Sequence, residues 1–355
     1  MHAGFPQPRS SIVVFLCAVL VCAQGCTFSY LVHLGIGQAK IITGRKPIEE
    51  VIADPSIRQE AKNKLELILE AKAYAEKEIG LAPSSAYTRY YEVTGPVVAY
   101  NLTASPRLEL KAHRWCFPIV GCIPYKGFFS LDRAQKEQEE MGGKGFDTYL
   151  RGVSAYSTLG WFIDPVFSTM LSYDEATLVE ITIHEMVHRT IFLKHKVEFN
   201  EGIATFIGQQ GALEFLGSRY GPDASPSAWA RDRMADDRVF QEFIVRVKDR
   251  LTSLYSSPLP DAEKLAQKGA LFKEAMKEYQ GLVSQFHTGG YNRVLRMEWN
   301  NALIVSFLTY VQDLRVYEQV FEKMGRDLKR MVEFCKGLEN EDAIEERIQL
   351  MLSSQ

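Results

Sequence analysis

Apolar residues recur at intervals of three and four along much of this chain, with charged and polar residues between them. That spacing is typical of helices that bury one face. Between 47 and 79 it runs through Ile48, Val51 and Leu65, while lysines and glutamates fill the intervening positions. The same pattern predicts a helix that starts near 200 and further helices over 131–141, 177–194, 229–255, 260–280 and 299–324.

The pattern changes between about 87 and 130 to short clusters of aromatic and β-branched residues, which glycines and prolines separate. Clusters of this kind predict short strands. Another strand is predicted over 147–153, ahead of the helices of the second half. The sequence therefore predicts a mainly α-helical protein with a small β region, an α+β fold, in which residues 26–355 form a single domain.

Composition narrows the class of partner. The 355 residues are 46% hydrophobic and 24% charged, an ordinary globular balance, and the formal net charge is -3. Proteins that bind nucleic acid usually carry a basic patch or stripe. No strongly basic block is present in this sequence, so nucleic acid is not expected as a partner.

Residues 1–25 have the organisation of an export signal. The nearly unbroken apolar run from Ser11 to Cys22 is shorter than the roughly 20 residues that a membrane-spanning helix needs. The segment 23–26 resembles a bacterial lipobox, although leucine usually stands where Ala23 is. We expect a lipid on Cys26 to anchor the protein on the periplasmic side of a membrane in the bacterial cell envelope. A plain secretory signal and an uncleaved anchor are the alternatives.

Two of the remaining cysteines lie close together. Cys116 and Cys122 stand six positions apart in a segment that proline and glycine turn back on itself. In an oxidising compartment such a pair favours a small disulfide loop. Two buried thiols and a metal-binding knuckle are the alternatives, although no second cysteine or histidine pair stands nearby.

The string His-Glu-Met-Val-His at 184–188 contains candidate metal-binding and catalytic residues. Residues four apart share a helix face, so His184 and His188 can bind one ion while Glu185 stands beside it. Ser172 and Glu175 have the spacing of a capping box ahead of this helix. Its other residues are apolar nearly all round, which predicts a buried helix whose polar side chains need partners. Zn²⁺ suits the two imidazoles, and Glu185 is expected to act as general base.

A third ligand is predicted thirteen positions after His188. Glu201 opens a helix in an Asn-Glu-Gly-x-Ala pattern that resembles the third-ligand helix of the gluzincins, the thermolysin-like and aminopeptidase-like zinc enzymes. The resemblance implies that Glu201 is a zinc ligand. The alternative is a solvated glutamate that favours the positive end of the helix dipole.

The chain as a whole resembles a bacterial family of predicted zinc aminopeptidases. The likeness covers nearly the whole chain after residue 25, and is carried by the lipobox-like start and by RKPIEEVI (45–52), CFPIVGCIPYKG (116–127), RGVSAYSTLGWFIDP (151–165) and WNNA (299–302). It implies an exported zincin-like metallopeptidase, with the HExxH helix followed by a ligand helix.

Such an enzyme also needs a group that stabilises the oxyanion. Tyr156, shortly before the zinc-motif helix, is the first candidate, and Tyr310, on a late helix, is the second; the alternative for each is a core or interface tyrosine. An exopeptidase needs in addition a carboxylate for the substrate's free amine. Asp164 is a weak candidate for that carboxylate, and Glu214 is weaker because it follows the zinc motif.

These observations predict a zinc-dependent peptidase, in particular an aminopeptidase, that acts on peptides or proteins in the bacterial envelope. The alternative is a non-catalytic zinc-binding lipoprotein that serves as a scaffold or binding module. An intact Glu185 favours the enzyme, because a scaffold has no use for a general base.

Overall fold

The computed structural model describes residues 26–117, 121–156, 163–194, 196–310, 313–340 and 343–353. Contacts between residues divide the chain into two compact units, 1–45 and 46–355. In the first unit the described part is helix α1 (Cys26–Gly44), and the export signal predicted over 1–25 lies outside the described residues. Within the described chain, no helix is both long and apolar enough to cross a bilayer.

The second unit is mainly helical with small sheets, as the sequence predicted. Its strands are β1 (Lys46–Pro47), β2 (Arg89–Tyr91), β3 (Ala99–Pro106), β4 (Trp115–Phe117), β5 (Gly121–Ile123), β6 (Lys126–Phe128), β7 (Phe146–Val153) and β8 (Val166–Phe167). Its helices are α2 (Ile48–Ala53), α3 (Gln59–Tyr74), α4 (Leu131–Gly143), α5 (Glu175–Thr190), α6 (Val197–Tyr220), α7 (Ser225–Ser256), α8 (Asp261–Leu282), α9 (Asn301–Tyr310), α10 (Arg315–Lys323), α11 (Leu328–Lys336) and α12 (Ile344–Ser353).

Three small sheets form in the first half of this unit. Strand β3 lies between β6 and β7, antiparallel to both, and β2 lies between β1 and β8. Strands β4 and β5 form a hairpin in which Cys116 faces Cys122, and a disulfide joins the two. The disulfide loop, rather than the thiol or metal alternative, is therefore the arrangement found in the structure.

A hydrophobic core surrounds α5 and α6. Ile183 and Val187 of α5 and Ile203 and Ile207 of α6 are fully buried in one cluster, to which α3, α10 and α11 add further apolar residues. Burying such side chains is the main stabilising contribution to the fold. The two helices are thus held against each other by packing along their length.

A polar junction joins the β3–β7 sheet to α8 and α9. The Lys268 ammonium donates to the Arg107 carbonyl oxygen at 2.8 Å and pairs with the Asp147 carboxylate. Asp147 also accepts from the Asn301 backbone N–H at 2.9 Å, and the Asn301 amide donates to the Pro106 carbonyl oxygen at 2.9 Å. Asn301, the second asparagine of the WNNA stretch, therefore has a structural role.

Two helices predicted as continuous are broken. The 47–79 helix ends at Ala53 and resumes at Gln59, because Pro55 disfavours helical geometry at Asp54, which is extended. The 299–324 helix is divided into α9 and α10. Asp313 accepts hydrogen bonds from the Arg315 backbone and side chain, a local turn that starts the second piece.

The zinc-motif helix is also shorter than predicted. Its N-cap is Asp174, which accepts from the Thr177 N–H at 2.8 Å, whereas the Ser172 hydroxyl donates to the Thr169 carbonyl oxygen, so the capping-box prediction was wrong. The helix ends at Thr190 rather than Lys194, because Ile191 is extended.

Candidate metal centre

Helix α5 directs two histidines to one point. His184 and His188 lie one turn apart, and their Nε2 atoms are 3.0 Å from each other. The remaining helix positions explain this orientation, since Ile183, Met186 and Val187 are fully buried in the core and leave the histidines on the more open face. The side chains of His184 and His188 keep 22% and 15% of their surface exposed.

Helix α6 brings a carboxylate to the same point. The Glu201 Oε1 atom lies 3.4 Å from the Nε2 of His188, and Oε2 lies 3.7 Å from the Nε2 of His184. One ligand atom from each of the three residues fits within 4.8 Å of the others. The three residues predicted as metal ligands thus come together in the structure.

The close approach of α5 and α6 requires a glycine. A Cβ atom at Gly208 would lie 3.1 Å from the Glu180 carbonyl oxygen and 3.2 Å from the His184 Cβ. Even a methyl group there would require its neighbours in α5 to give by a few tenths of an ångström, which would disturb the position of α6 beside the histidines. Gly208 stands seven positions after Glu201, so it lies two turns further along nearly the same helix face.

The spacing of these donor atoms suits zinc. Atoms about 2.0–2.1 Å from a tetrahedral ion lie about 3.3–3.4 Å from one another. The separations of 3.0, 3.4 and 3.7 Å centre on that value. Two imidazoles and one carboxylate are also the donor set of hydrolytic zinc sites, which keep a fourth position open. Partial exposure of all three side chains is consistent with an open position.

Burial and nearby charges set the pKa values of the donors. Burial lowers the pKa of His184, but the hydrogen bond to Glu201 and the charges of Glu185, Glu201 and Glu180 raise it overall. Burial and the charge of His184 lower the pKa of His188 to about 4. Burial raises the pKa of Glu201, but the two histidines lower it overall. At neutral pH His188 is therefore neutral and Glu201 ionised, the forms in which such groups bind metals.

Comparison with known proteins gives the family. A model of a protein family described as "Putative aminopeptidase" matches residues 29–351. The chain belongs to this family. Searches of curated proteins and of solved structures found no match.

An aminopeptidase, the activity in the family's description, needs a carboxylate that can bind the free amine of its substrate. Glu214 is too far from the metal donors, because it follows Glu201 by thirteen residues on one helix, about 20 Å along the axis. Its side chain hydrogen-bonds to Tyr74 instead. Asp164 is 6% exposed, and its carbonyl oxygen accepts from the Tyr87 N–H at 2.8 Å. Neither placement identifies an amine-binding group.

Tyr87 is a buried tyrosine whose electrostatic interaction with Glu185 the sequence did not predict. It is 5% exposed and has a φ of 56°, which is uncommon for a residue with a side chain and shows that its surroundings impose the conformation. Burial, followed by the charges of Glu185 and Asp164, raises the pKa of Tyr87 well above its usual value. A neutral phenol therefore lies within the electrostatic reach of the predicted general base.

The two tyrosines predicted to stabilise the oxyanion are placed differently. Tyr156 follows β7, and its ring packs 5.8 Å from that of Phe129 and 5.5 Å from that of Phe167, measured between centroids. Burial, then the charges of Asp164 and Tyr91, raises the pKa of Tyr156. Tyr310 is the last residue of α9, and its side chain lies outside the described part of the structure. The role predicted for either tyrosine stays a prediction.

A polar network that the sequence did not reveal lies one helical turn from His184. The Glu180 carboxylate pairs with the Arg233 guanidinium of α7 at 2.8 Å. One turn further along α7, Asp237 accepts from the Gln209 amide at 2.9 Å and from the Tyr291 hydroxyl at 2.6 Å. The network links α5, α6 and α7 beside the metal donors, and its negative charge contributes to the raised pKa of His184.

Proposed function

We propose that this protein is a zinc-dependent peptidase of zincin-like architecture, and specifically an aminopeptidase. The observation that carries the proposal is the convergence of His184, His188 and Glu201 at the spacing of a tetrahedral zinc ion, with Glu185 adjacent on the same helix. The family description supports the peptidase activity.

In the proposed mechanism His184, His188 and Glu201 hold the ion. Zinc, when bound, polarises the attacking water and the scissile carbonyl. Glu185 accepts a proton from that water and then passes it to the departing amine nitrogen, so that the base is restored at the end of the cycle. A tyrosine that donates to the oxyanion would lower the barrier further, and Tyr156 and Tyr310 remain our candidates.

We also propose that the enzyme acts in the bacterial cell envelope, on the periplasmic side of a membrane. A lipid on Cys26, the first residue of α1, would anchor it there. The same helix exposes Leu31, Val32 and Ile36, apolar side chains that an acyl-lined surface tolerates better than water does. The substrates would be peptides or proteins, and nucleic acid is not among the proposed partners.

A zinc-binding scaffold without activity is the second candidate. The same three donors would hold the ion in that case, so zinc content alone cannot separate the two. Glu185 favours the enzyme, since it is not one of the three grouped donors and a scaffold has no use for a general base beside the ion.

Substitutions of Glu185 and Glu201, compared with a control substitution of Glu198, test the proposal. Wild type should contain about one zinc per chain by elemental analysis. Glu185→Gln should keep the zinc and the unfolding midpoint, but should lose roughly a hundred-fold or more of its peptide hydrolysis. Glu201→Gln should lose zinc and activity together. Glu198→Gln, at an exposed position in the first turn of α6, serves as the matched control and should behave as wild type.

Peptide substrates with free and with acetylated amino termini test the aminopeptidase part. Only the free peptides should be shortened from their amino end, as seen by mass spectrometry. Cleavage of both kinds would indicate an endopeptidase. If zinc-loaded wild type and Glu185→Gln are equally inactive on a broad peptide library, the scaffold is the better description.

A further inference from the structure

One side chain of α6 makes two hydrogen bonds to the segment between α5 and α6. The Asn200 side chain accepts a hydrogen bond from the Leu193 backbone N–H at 2.9 Å, and its amide donates to the Leu193 carbonyl oxygen at 2.8 Å. One side chain thus satisfies both backbone groups of one residue, as a neighbouring strand would. We name this pair of bonds the Asn200 clip.

The clip is buried and lies where the chain reverses direction. Asn200 is 4% exposed and Leu193 is 2% exposed, so water cannot easily replace either bond. Ile191, at the start of the segment, is also fully buried, whereas Phe192 points outward at 60% exposure. The segment is therefore seated against the core on one face, and the clip fixes its position relative to α6.

Helix α6 has other described side-chain contacts at its start, from Lys196 to Glu345 and from the Tyr317 hydroxyl to the Phe199 carbonyl oxygen, but neither involves the chain that leaves α5. Its N-cap residue, Lys196, makes no side-chain capping bond. The Asn200 N–H donates to the Lys196 carbonyl oxygen at 3.0 Å, which begins the helical ladder but does not attach it to α5. Among the described contacts, the clip thus joins the first turn of α6 directly to the chain that leaves α5.

We propose that Asn200 is a positioning residue of the metal centre, which sets the start of α6 so that Glu201 reaches the two histidines. This inference rests on the proposed zinc site. Glu201 directly follows Asn200, and its oxygens lie 3.4 and 3.7 Å from the histidine nitrogens. Metal–ligand distances tolerate only about 0.2 Å of error. A shift of the first turn of α6 would therefore displace the carboxylate beyond that tolerance.

The test separates positioning from general stability by means of a matched asparagine. Asn301 is fully buried, and its amide also bonds backbone carbonyls, in the junction between α9 and the segment 106–109. Asn200→Ala and Asn301→Ala should both lower the stability of the metal-free protein to urea. Only Asn200→Ala should weaken zinc binding, by about ten- to hundred-fold, as changes around metal ligands do. Zinc affinity is measured by competition with a chromophoric chelator.

Each outcome decides the inference. A zinc affinity of Asn200→Ala within twofold of wild type would overturn it, and so would an equal loss in Asn301→Ala. Asn200→Ser, which keeps a polar group at this position, should give a smaller loss than alanine and is measured if the alanine variant does not fold. Failure of both Asn200 variants to fold, while Asn301→Ala folds, would make the clip a folding determinant and would count against positioning. A wild-type protein without zinc would instead overturn the proposed function.

Discussion

Replacement of Gly202 by alanine should strain the start of the ligand helix. Gly202 follows Glu201, and the ring of Tyr317 from α10 lies directly over it. A Cβ atom at 202 would lie 2.5 Å from the Tyr317 hydroxyl oxygen, 2.6 Å from Cε2 and 2.8 Å from Cζ. Tyr317 is 7% exposed. Its ring packs on Phe199 and Phe206, and its hydroxyl donates to the Phe199 carbonyl oxygen at 3.3 Å. It therefore has little freedom to move aside.

The magnitude follows from two opposing contributions. Overpacking of a rigid group costs about 1–3 kcal/mol. Alanine in place of glycine within a helix gains about 0.5–1 kcal/mol. We therefore expect Gly202→Ala to lower the free energy of unfolding by about 0–2.5 kcal/mol, with a central value of about 1 kcal/mol. Gly269→Ala, at an exposed position in α8 with open space around the added Cβ, should raise it by about 0.5–1 kcal/mol.

Urea unfolding of the four corners of a double-mutant cycle tests the cause. Tyr317→Leu removes the ring, so Gly202→Ala should cost at least about 1 kcal/mol less in that background than in wild type. An equal cost in both backgrounds would show that the Tyr317 ring is not the obstacle. A stabilising Gly202→Ala, equal to that of Gly269→Ala, would refute the overpacking argument altogether.

The remaining predictions concern groups outside the metal centre. A protein that starts at residue 29 has three cysteines, and a disulfide joins two of them, Cys116 and Cys122. After alkylation under denaturing, non-reducing conditions, mass spectrometry should therefore detect one alkylated cysteine per chain. Its free Cys335, which is 2% exposed and whose pKa burial raises to about 12, should react with a thiol reagent only after unfolding. Arg233→Met should cost about 2–3 kcal/mol in urea unfolding, since it leaves the partly buried Glu180 carboxylate unpaired, and Arg233→Lys should cost less.

The helical majority of the fold could be predicted because the helices bury one face each. The 3.6-residue period is a property of the sequence itself, and it located α7 and α8 to within a few residues. The ends of the helices were harder to predict from the sequence. Asp174 rather than Ser172 caps α5, because both residues suit an N-cap and only the packed structure selects one. The break at 54–58 depends on Pro55, whose effect on the preceding residue the periodicity does not show.

The metal donors could be predicted because a helix brings residues four apart to one face, and that relation needs no tertiary structure. The parts that hold the donors in place could not. These parts are the Asn200 clip, the contact of Tyr317 with Gly202 and the pairing of Glu180 with Arg233. Each joins residues that lie up to 115 positions apart in the sequence, or residues whose role depends on the direction of a side chain. A single sequence shows asparagine beside glutamate, but not which backbone groups the amide meets.

The geometry of the centre is a consequence of core packing, and this bears on the choice between enzyme and scaffold. Ile183 and Ile207 are fully buried in the shared core, so apolar packing holds α5 and α6 together. That packing would place His184 and Glu201 equally well in a protein that only stores an ion. Glu185 is different, because it is not one of the three residues whose ligand atoms come together. A scaffold has no use for a general base beside the ion, so the ability of Glu185 to take a proton from water is the property on which the enzyme hypothesis depends.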